Sequence, residues 1–319
     1  MESVPATFIE SVLYRLDKND HIALSQMVPK SPWKSFGSLY NCQSVFYWAN
    51  LEIGINNIRY YLVTSGYSSD FTYKELLATD RRFHRIHGIF ISGEYDTHSW
   101  HQFEANEIGA FCAGLVERLK LKNAKLFCEQ NLEEAESALA DKIYSYLPGY
   151  LPFSNLRLRH SGEESVKFVN RQLEFNNSLH SLWIMGDWPQ SIKSIVAKIV
   201  KYSPLKIFRC NTTQRPHLSI EDIDRVVQKW KNDKNGQKGL SIFASVDSVP
   251  VDFPEQYKRV QTIFNGLKYE VRHDTVNKSA HLSFTYGTSH YLFSLCYARD
   301  YQTVAKKQTF CKSRKIVDF

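Results

Sequence analysis

Apolar residues recur at one constant interval in the middle of the chain. The pattern L-x-x-L-x-L, with other apolar residues allowed for leucine, occurs three times, and each occurrence follows the last by 26 residues. This interval and pattern are typical of leucine-rich repeats, in which each unit contributes a strand and a helix and buries its apolar face only by stacking. The three sets are Phe153, Leu156 and Leu158; Leu179, Leu182 and Ile184; and Leu205, Phe208 and Cys210.

The segments between these sets have the spacing of amphipathic helices. Their apolar stripes are Val166, Val169 and Leu173 in one segment and Ile192, Ile195, Val196 and Ile199 in the next. Residues at i, i+3, i+4 and i+7 share one helix face, so each segment has a single buried side. Ser161 with Glu164, and Ser219 with Asp222 further on, predict capping boxes at helix starts.

The same strand pattern continues on both sides of the regular core at looser intervals. Further sets are Ile86, Ile89 and Ile91; Leu126 and Cys128; and Leu240 and Ile242. The fold class that we predict is therefore α/β, an irregular leucine-rich-repeat-like β/α solenoid with a parallel sheet of about six strands. Leu156, Leu182, Phe208 and Leu240 are expected on its buried face, beneath the helices.

Beyond Val249 the hydrophobic period changes from helical to alternating. Tyr269 and Val271, then Leu282, Phe284 and Tyr286, then Tyr291, Phe293, Leu295 and Tyr297 alternate with period two. Gly287 to Ser289 supplies a tight turn between two of these runs. This predicts a C-terminal antiparallel cap over the last repeat, because a bare solenoid end would expose its core.

Composition places the chain among large intracellular proteins. It has 319 residues with 43% hydrophobic content, and no apolar run approaches the ~18 residues of a membrane span. The first ten residues lack the basic and apolar regions of a secretory signal. The six cysteines are scattered without C-x-x-C spacing, which favours reduced cysteines in a cytoplasmic or nuclear protein.

The formal charge of +7 is concentrated near the C-terminus. Six basic residues and one acidic residue lie between Arg299 and Lys315, while the rest of the chain is nearly balanced. A short basic tail is usually solvated, with nuclear targeting or phosphate contact as weaker interpretations. Neither a nucleic-acid partner nor a membrane partner is expected.

No catalytic constellation is present in the sequence. The serine-hydrolase pattern G-x-S-x-G and the phosphate-binding glycine patterns are absent. His84 with His87, and His98 with His101, have a spacing that suits a metal, but no cysteine at ligand distance accompanies either pair. We therefore expect no enzyme activity, no metal and no cofactor.

The N-terminal residues form a separate small unit that resembles an F-box. The run V-P-A-T-F-I-E-S-V-L-Y-R-L-D-K-N-D-H-I-A-L-S-Q-M, from Val4 to Met27, is followed by Trp33. The F-box pattern begins Leu-Pro, continues through Ile-Leu and Leu-Asp, and ends with Arg-Trp. Its positions fall here on Val4 and Pro5, on Val12 and Leu13, on Leu16 and Asp17, and on Trp33.

A second stretch resembles the region that follows the F-box in divergent families expanded in nematodes. It is F-V-N-R-Q-L-E-F-N-N-S-L-H-S-L-W-I-M-G-D-W-P, from Phe168 to Pro189, together with Trp230. The resemblance implies that the F-box binds a Skp-type adaptor, and through it a cullin, while the remainder recognises a target protein. It implies these adaptor-binding residues, with an exposed apolar stripe: Val4, Pro5, Ile9, Val12, Leu13, Leu16 and Trp33.

Alternation along the strands predicts a second functional surface. If Leu182 and Ile184 point inward, their neighbours point to the opposite face, which becomes rich in aromatic and arginine residues. The target-binding residues that we predict there are Phe127, Arg157, Arg159, Trp183, Arg209 and Phe243. Such a composition is typical of binding hot spots. Alternatively, the C-terminal segment or a neighbouring loop covers these side chains as part of the core.

The sequence is divided into five regions by these observations. They are an F-box-like helical unit (1–36), a connecting segment (37–85), the repeats (86–249), the C-terminal cap (250–298) and the basic tail (299–319). Two functions follow. The chain is a non-catalytic substrate-recognition subunit of a Skp-cullin-type ubiquitin ligase, or it is a leucine-rich-repeat-like binding protein whose degenerate F-box binds no adaptor.

Overall fold

A computed structural model describes most of the chain, which divides into two compact units, Met1–Gly186 and Asp187–Phe319. The described residues are 5–13, 16, 18–27, 31–54, 57–64, 67–69, 71–93, 101–104, 106–119, 124–128, 132–151, 153–202, 205–212, 218–233, 241–246, 255, 257–261, 266–273, 279–286 and 291–298. Among them, no helix combines the length and the apolar character that crossing a membrane requires. The two units are described separately.

The first unit begins with helices and continues as alternating strands and helices. Its helices are α1 (Ala6–Leu13), α2 (Lys18–Ser25), α3 (Pro32–Gln43), α4 (Tyr73–Ala78), α5 (Ile108–Arg118), α6 (Glu134–Tyr146) and α7 (Glu163–Phe175). Its strands are β1 (Val45–Ile53), β2 (Asn57–Thr64), β3 (Tyr67–Ser69), β4 (His84–Ser92), β5 (His101–Glu104), β6 (Ala124–Cys128), β7 (Phe153–Arg159) and β8 (Ser181–Gly186).

The strands of the first unit form one mostly parallel sheet in nearly sequential order. β1 pairs antiparallel with β2 and parallel with β4, and β4, β6, β7 and β8 then follow as parallel neighbours. β3 and β5 both pair antiparallel with β2. A helix lies between each successive pair of the parallel strands β4, β6, β7 and β8 along the chain. The predicted α/β class with a parallel sheet is thus confirmed.

One face of this sheet is buried, and it carries the predicted leucine positions. Ile89, Leu126, Leu156 and Leu182 are direct partners on successive strands, and all four side chains are fully buried. The next row, Ile91, Cys128, Leu158 and Ile184, is fully buried as well. Burying a side chain of this size stabilises the fold by roughly 1.5 to 3 kcal/mol, so burial of these two rows contributes much of the free energy that stabilises the core of the first unit.

An aspartate of α6 caps the start of α7. Asp141 of α6 accepts hydrogen bonds from the backbone N–H groups of Glu164 (3.1 Å) and Ser165 (2.8 Å) in the first turn of α7. The residue that precedes α7 is Gly162, which has no side chain with which to cap the helix. The predicted cap by Ser161 is therefore wrong, because an acidic residue from the preceding helix takes that position.

Buried amides tie α7 to the loops beside it. Gln172 donates to the carbonyl of Gly149 (2.9 Å), and Asn176 donates to the carbonyl of Phe153 (2.8 Å) and to the Gln172 side-chain oxygen (2.7 Å). Both amides are almost completely buried. Their hydrogen bonds satisfy carbonyls that would otherwise be costly to remove from water.

The second unit contains two parallel strands and an antiparallel group. Its elements are α8 (Ile192–Tyr202), β9 (Ile207–Thr212), α9 (Ile220–Lys231), β10 (Ser241–Val246), β11 (Lys258–Gln261), β12 (Gly266–Arg272), β13 (Ser279–Tyr286) and β14 (Tyr291–Ala298). β9 and β10 are parallel, while β10, β14, β13, β12 and β11 follow one another as antiparallel neighbours. The predicted antiparallel structure beyond Val249 is thus confirmed.

The buried positions of the second unit follow the predicted pattern where they are described. Phe208 and Ile242 are fully buried direct partners on β9 and β10. The predicted capping box at α9 is confirmed, since the Ser219 hydroxyl accepts from the N–H of Asp222 at 3.1 Å. Leu240 and the basic tail, 299–319, lie outside the described residues.

Candidate functional site

A row of aromatic and polar side chains crosses the first-unit sheet on the face opposite the buried leucines, here called the open face. Successive strand partners define it: Tyr61 on β2, Asn50 on β1, Phe90 on β4, Phe127 on β6, Arg157 on β7 and Trp183 on β8. We call this set the central row. Because neighbouring strands lie about 4.8 Å apart, six strands give it a length of about 24 Å.

Arg157 is held between two aromatic rings in the central row. Its guanidinium carbon lies 4.6 Å from the centre of the Phe127 ring and 4.0 Å from the centre of the Trp183 ring. Both separations are well inside the range of cation–π attraction. The Arg157 guanidinium therefore lies between rings that come from the two neighbouring strands, β6 and β8.

Trp48 extends this aromatic cluster across the sheet from β1. Its ring centre is 5.5 Å from that of Phe127 and 5.5 Å from that of His87, and the Lys125 ammonium lies 5.7 Å from it. The strand between β1 and β6 is β4, where Trp48 is opposite Gly88. A Cβ atom on Gly88 would lie 2.6 Å from the Trp48 ring, so the absence of a side chain there makes room for the indole.

Charge on the open face is mostly positive on its β6 to β8 side. The described side chains there include the cations Lys125, Arg157 and Arg159 and no Asp or Glu. At the other side, the carboxylate of buried Glu52 pairs with Arg59 across β1 and β2 at 3.2 Å. The side chains of the central row are partly buried, so each keeps some of its surface exposed.

The structure brings together three of the predicted target-binding residues, Phe127, Arg157 and Trp183. Arg159 is on the same face two residues further along β7. Arg209 belongs to the second unit, where it is partly buried, and the side chain of Phe243 lies outside the described residues.

The residues of the open face that were missed from the sequence include Trp48, Asn50, Tyr61 and Lys125. Lys125 could have been found by the alternation that placed Phe127. Trp48 could not, because the pairing of β1 with β4 shifts by one residue between Tyr47 and Trp48. Such an irregularity leaves no mark in the hydrophobic pattern.

The N-terminal helices carry the residues that the F-box resemblance implies for adaptor binding. Ile9 is 1% exposed and Leu13 is fully buried, and both pack with Tyr40 of α3 in one cluster. The expectation of an exposed stripe is therefore wrong at these two positions, because α3 supplies a core for them. Leu16 and Trp33 are partly buried against the same cluster.

Some of the residues that the F-box resemblance implies for adaptor binding remain accessible to solvent. Pro5 is exposed and Val12 is partly exposed, while Val4 lies outside the described residues. Phe8, which was not among the expected residues, is 53% exposed, and its ring centre lies 6.4 Å from that of Trp33 in an edge-to-face arrangement. Among the described residues of these helices, Phe8 is thus the most exposed large apolar side chain, and it immediately precedes the buried Ile9.

The N-terminal unit is attached to the start of β4 by arginines. The Arg85 side chain is almost fully buried and donates to the carbonyls of Leu16 (3.1 Å) and Arg82 (2.7 Å). Arg82 forms an ion pair with Glu10 of α1 at 3.2 Å. Removing the buried cation would leave these carbonyls without a donor, so Arg85 has a structural role.

The histidines noted in the sequence lie among aromatic rings. The His84 Nδ1 is 2.9 Å from the Tyr47 hydroxyl, and its ring stacks on Tyr47 and Phe71. Burial, and secondarily the charge of Arg118, lowers the pKa of His84. Among the described residues, no group of three or more His, Cys, Asp or Glu side chains is placed to hold a metal ion. His98 lies outside those residues.

Three of the described cysteines are buried thiols. Burial raises the pKa of Cys112 and of Cys210 to about 12, and it also raises the pKa of Cys128. Since the thiolate is the nucleophilic form, these cysteines stay protonated and act as small apolar residues.

Comparison of the chain with protein-family models, with curated proteins and with solved structures finds no match. The open face and the N-terminal helices are therefore the features from which a function can be inferred.

Proposed function

We propose that this chain is a non-catalytic protein-interaction module, the substrate-recognition subunit of a Skp-cullin-type ubiquitin ligase. The observation that carries the proposal is the central row, in which the Arg157 guanidinium lies between the rings of Phe127 and Trp183 and all three side chains are partly exposed on the open face. Trp, Tyr and Arg are the residues most enriched among binding hot spots. A partner that covers this row would gain apolar burial from the two rings and charge-assisted hydrogen bonds from the guanidinium.

In this proposal the strand–helix units form a leucine-rich-repeat-like solenoid, and the C-terminal antiparallel strands cap its end. The sequential order of β4, β6, β7 and β8 and the constant rows of buried leucines support such stacking. Solenoids of this kind use one extended face for binding. Here that face is the open face.

The N-terminal helices would bind the adaptor through their exposed apolar surface. Phe8 is more than half exposed, Pro5 is exposed and Val12 is partly exposed, on a unit whose own core is provided by Ile9, Leu13 and Tyr40. A large exposed aromatic residue beside Trp33 is a favourable anchor for a helical partner. Phe8 therefore replaces Ile9 and Leu13 as the principal contact in the proposal.

A second function is favoured by the way in which these helices are anchored. Glu10 pairs with Arg82, and Arg85 donates to the carbonyl of Leu16, so the unit is fastened to β4. This arrangement suits a lid that stabilises the sheet. In that case the chain is a leucine-rich-repeat-like binding protein whose degenerate F-box binds no adaptor.

Co-purification with a Skp-type adaptor separates the two functions. We expect wild-type chain to retain the adaptor at micromolar concentration and Phe8→Ala to weaken binding by about thirtyfold, equivalent to ~2 kcal/mol for a hot-spot aromatic residue. The matched control is Leu77→Ala, which removes a similarly exposed apolar side chain (40%) from α4, outside the N-terminal helices. Absence of binding by folded wild-type chain would exclude the ligase function and leave the second.

A further inference from the structure

A groove lies between the C-terminal ends of α6 and α7 in the first unit, and we call it the α6–α7 groove. Its volume is about 410 Å³, within the range of about 300 to 1,000 Å³ that is usual for ligand sites. The end of α6, the turn that follows it and the end of α7 contribute its walls. The side chains that matter below are Tyr146, Tyr150, Arg171 and Phe175.

The walls of the α6–α7 groove carry exposed aromatic rings. Tyr150 is 72% exposed, Phe175 58% and Tyr146 42%. In the part of the chain that the structure describes, Tyr150 and Phe175 are the two most exposed large apolar side chains. A contiguous exposed apolar patch on a folded protein is typical of a binding site. Three such rings around one groove therefore indicate a surface that another molecule covers.

The turn after α6 is anchored to α7, and this anchoring uses carbonyl groups of the turn. The Gln172 side-chain amide donates to the carbonyls of Pro148 (3.4 Å) and Gly149 (2.9 Å). A Cβ atom at Gly149 would lie 2.6 Å from the Cβ atom of Arg171, so the glycine permits this close approach to the helix. Because these two carbonyls already have a donor, they are not available as acceptors for a ligand in the groove.

The charge that lines the α6–α7 groove is positive. Arg171 lines it, and none of the described lining residues is Asp or Glu. The Arg171 Nη2 donates to the Tyr144 carbonyl (3.3 Å) and lies 3.8 Å from a Glu164 oxygen, which is beyond hydrogen-bond distance. Glu164 is closer to Lys167, at 2.9 Å. Since 35% of the Arg171 side chain is exposed, the groove is complementary to a ligand with an acidic group.

We propose that the α6–α7 groove binds a proline-rich segment of a protein partner in the polyproline II conformation, with an acidic residue of that segment near Arg171. Grooves lined by aromatic side chains are a general recognition site for such segments. Proline has a backbone carbonyl but no N–H, so the segment needs hydrogen-bond donors, and the exposed hydroxyls of Tyr146 and Tyr150 can donate. The inference goes beyond the proposed function, because it assigns a binding surface outside the open face and the N-terminal helices.

The test measures binding of a fluorescein-labelled peptide to the full chain by fluorescence anisotropy. The peptide is polyproline with one central Glu and is about nine residues long, which is about three turns of polyproline II. We expect saturable binding that Tyr150→Ala and Phe175→Ala each weaken by about thirtyfold. Tyr150→Phe removes one hydroxyl donor and should weaken binding by about fivefold. Full binding by both alanine variants would overturn the proposal.

The matched control is Phe8→Ala, which truncates an aromatic residue of similar exposure (53%) on α1. Binding by this variant should equal that of wild type, and equal weakening by Phe8→Ala and Phe175→Ala would overturn the proposal. The truncated side chains are more than half exposed, so the fold should persist, and thermal melts check this. A Gly and Ser peptide with the same central Glu should not bind, and equal affinity for it would show that charge alone attracts the peptide.

The charge of the segment is tested with a polyproline peptide that has Arg in place of the central Glu. This peptide should bind more weakly than the Glu peptide, and the difference should shrink as salt is raised and disappear in Arg171→Gln. The ratio of the two affinities is the readout, because a general loss of stability would weaken both peptides alike. Tighter binding of the Arg peptide by wild type would overturn the proposal.

Two further measurements test the other occupants of the groove. In size-exclusion chromatography, a wild-type dimer that Phe175→Ala converts to a monomer would overturn the proposal in favour of a second copy of the chain. Tighter, Phe175-dependent binding of an amphipathic helical peptide would overturn it in favour of a helix. Adaptor co-purification should be the same for Phe175→Ala and wild type, so failure of the ligase function leaves proline-rich-segment binding in place.

Discussion

At the scale of single residues, the packing of Trp48 on the open face depends on a glycine. Gly88 lies opposite Trp48, and a Cβ atom there would also come within 3.0 Å of the backbone carbonyl of Lys125. The backbone cannot move aside as a flexible side chain can, so an added methyl group would displace the indole. Trp48 would then lose its contacts with Phe127 and Lys125.

We therefore predict that Gly88→Ala destabilises the fold by about 1 to 3 kcal/mol, the usual cost of overpacking, and changes the tryptophan emission spectrum. Urea denaturation with fluorescence detection measures both effects. Gly109→Ala is the matched control. Gly109 is in α5, where an added methyl group would lie 3.1 Å from the ring of the exposed Tyr146 side chain. Alanine also stabilises a helix by up to about 1 kcal/mol relative to glycine. Equal destabilisation by the two variants would contradict the role given to Gly88.

A second residue-scale prediction concerns pH. Burial lowers the pKa of His84, with a smaller contribution from Arg118, so the folded chain binds fewer protons than the unfolded chain just below the ordinary value of 6.5. Stability must then rise with pH through this window and fall as pH drops below about 6.5. Burial lowers the pKa of His160 in the same direction.

Urea denaturation at pH 7.5 and at pH 5.5 should therefore show lower stability at the acidic value. His84→Gln should reduce the difference between the two pH values, because glutamine does not titrate. The control is His180→Gln, which makes the same replacement at an exposed position. An undiminished difference in His84→Gln would show that other groups cause the acid destabilisation.

At the scale of elements, α7 shows why a helix start can be misread from sequence. Ser161 and Glu164 have the capping-box spacing, but the helix begins at Glu163 and Ser161 is one residue too early. The acceptor that the first turn uses is Asp141, more than twenty residues back in the chain. A Cβ atom at Gly162 would overlap its carboxylate, so the glycine and the aspartate fit together.

We predict that Asp141→Ala destabilises the fold by about 1 to 2 kcal/mol, the loss expected for a helix cap that also carries a favourable charge. Asp141→Asn should cost less, because the amide oxygen still accepts one hydrogen bond. Chemical denaturation measures both. Lys142→Ala, at the next position of α6 with an exposed side chain, provides the comparison. The proposed cap would be refuted if Asp141→Ala were no more costly than Lys142→Ala.

At the scale of the whole molecule, the features that follow from a repeating pattern could be predicted, and those that depend on one packing contact could not. The 26-residue period and the alternation within each set placed Leu156, Leu182 and Phe208 on buried strand faces, and these positions are fully buried. Alternation also placed Arg157 and Trp183 on the opposite face.

Burial of Ile9 and Leu13 could not be predicted in the same way. It requires that Tyr40 of α3 pack against them, and no periodicity links α1 to α3 across the intervening loops. The one-residue shift in the pairing of β1 with β4 next to Trp48 is also confined to one place in the sheet, so periodicity could not predict it. An amphipathic stripe in a short N-terminal helix is the same whether a partner protein or the chain itself covers it, so the stripe alone cannot distinguish the two.

The last prediction tests the two faces of the sheet against each other on a single strand. Leu182 of β8 is fully buried between its neighbours, and Met185, three residues on, is partly exposed on the open face. Leu182→Ala removes buried methyl groups and leaves a cavity, so it should cost about 2 to 5 kcal/mol. Met185→Ala removes a side chain that keeps water contact in the folded chain and should cost about 1 kcal/mol or less. Urea denaturation of both variants gives the comparison, and equal costs would mean that the strand is buried on both faces and that the open face is not available to a partner.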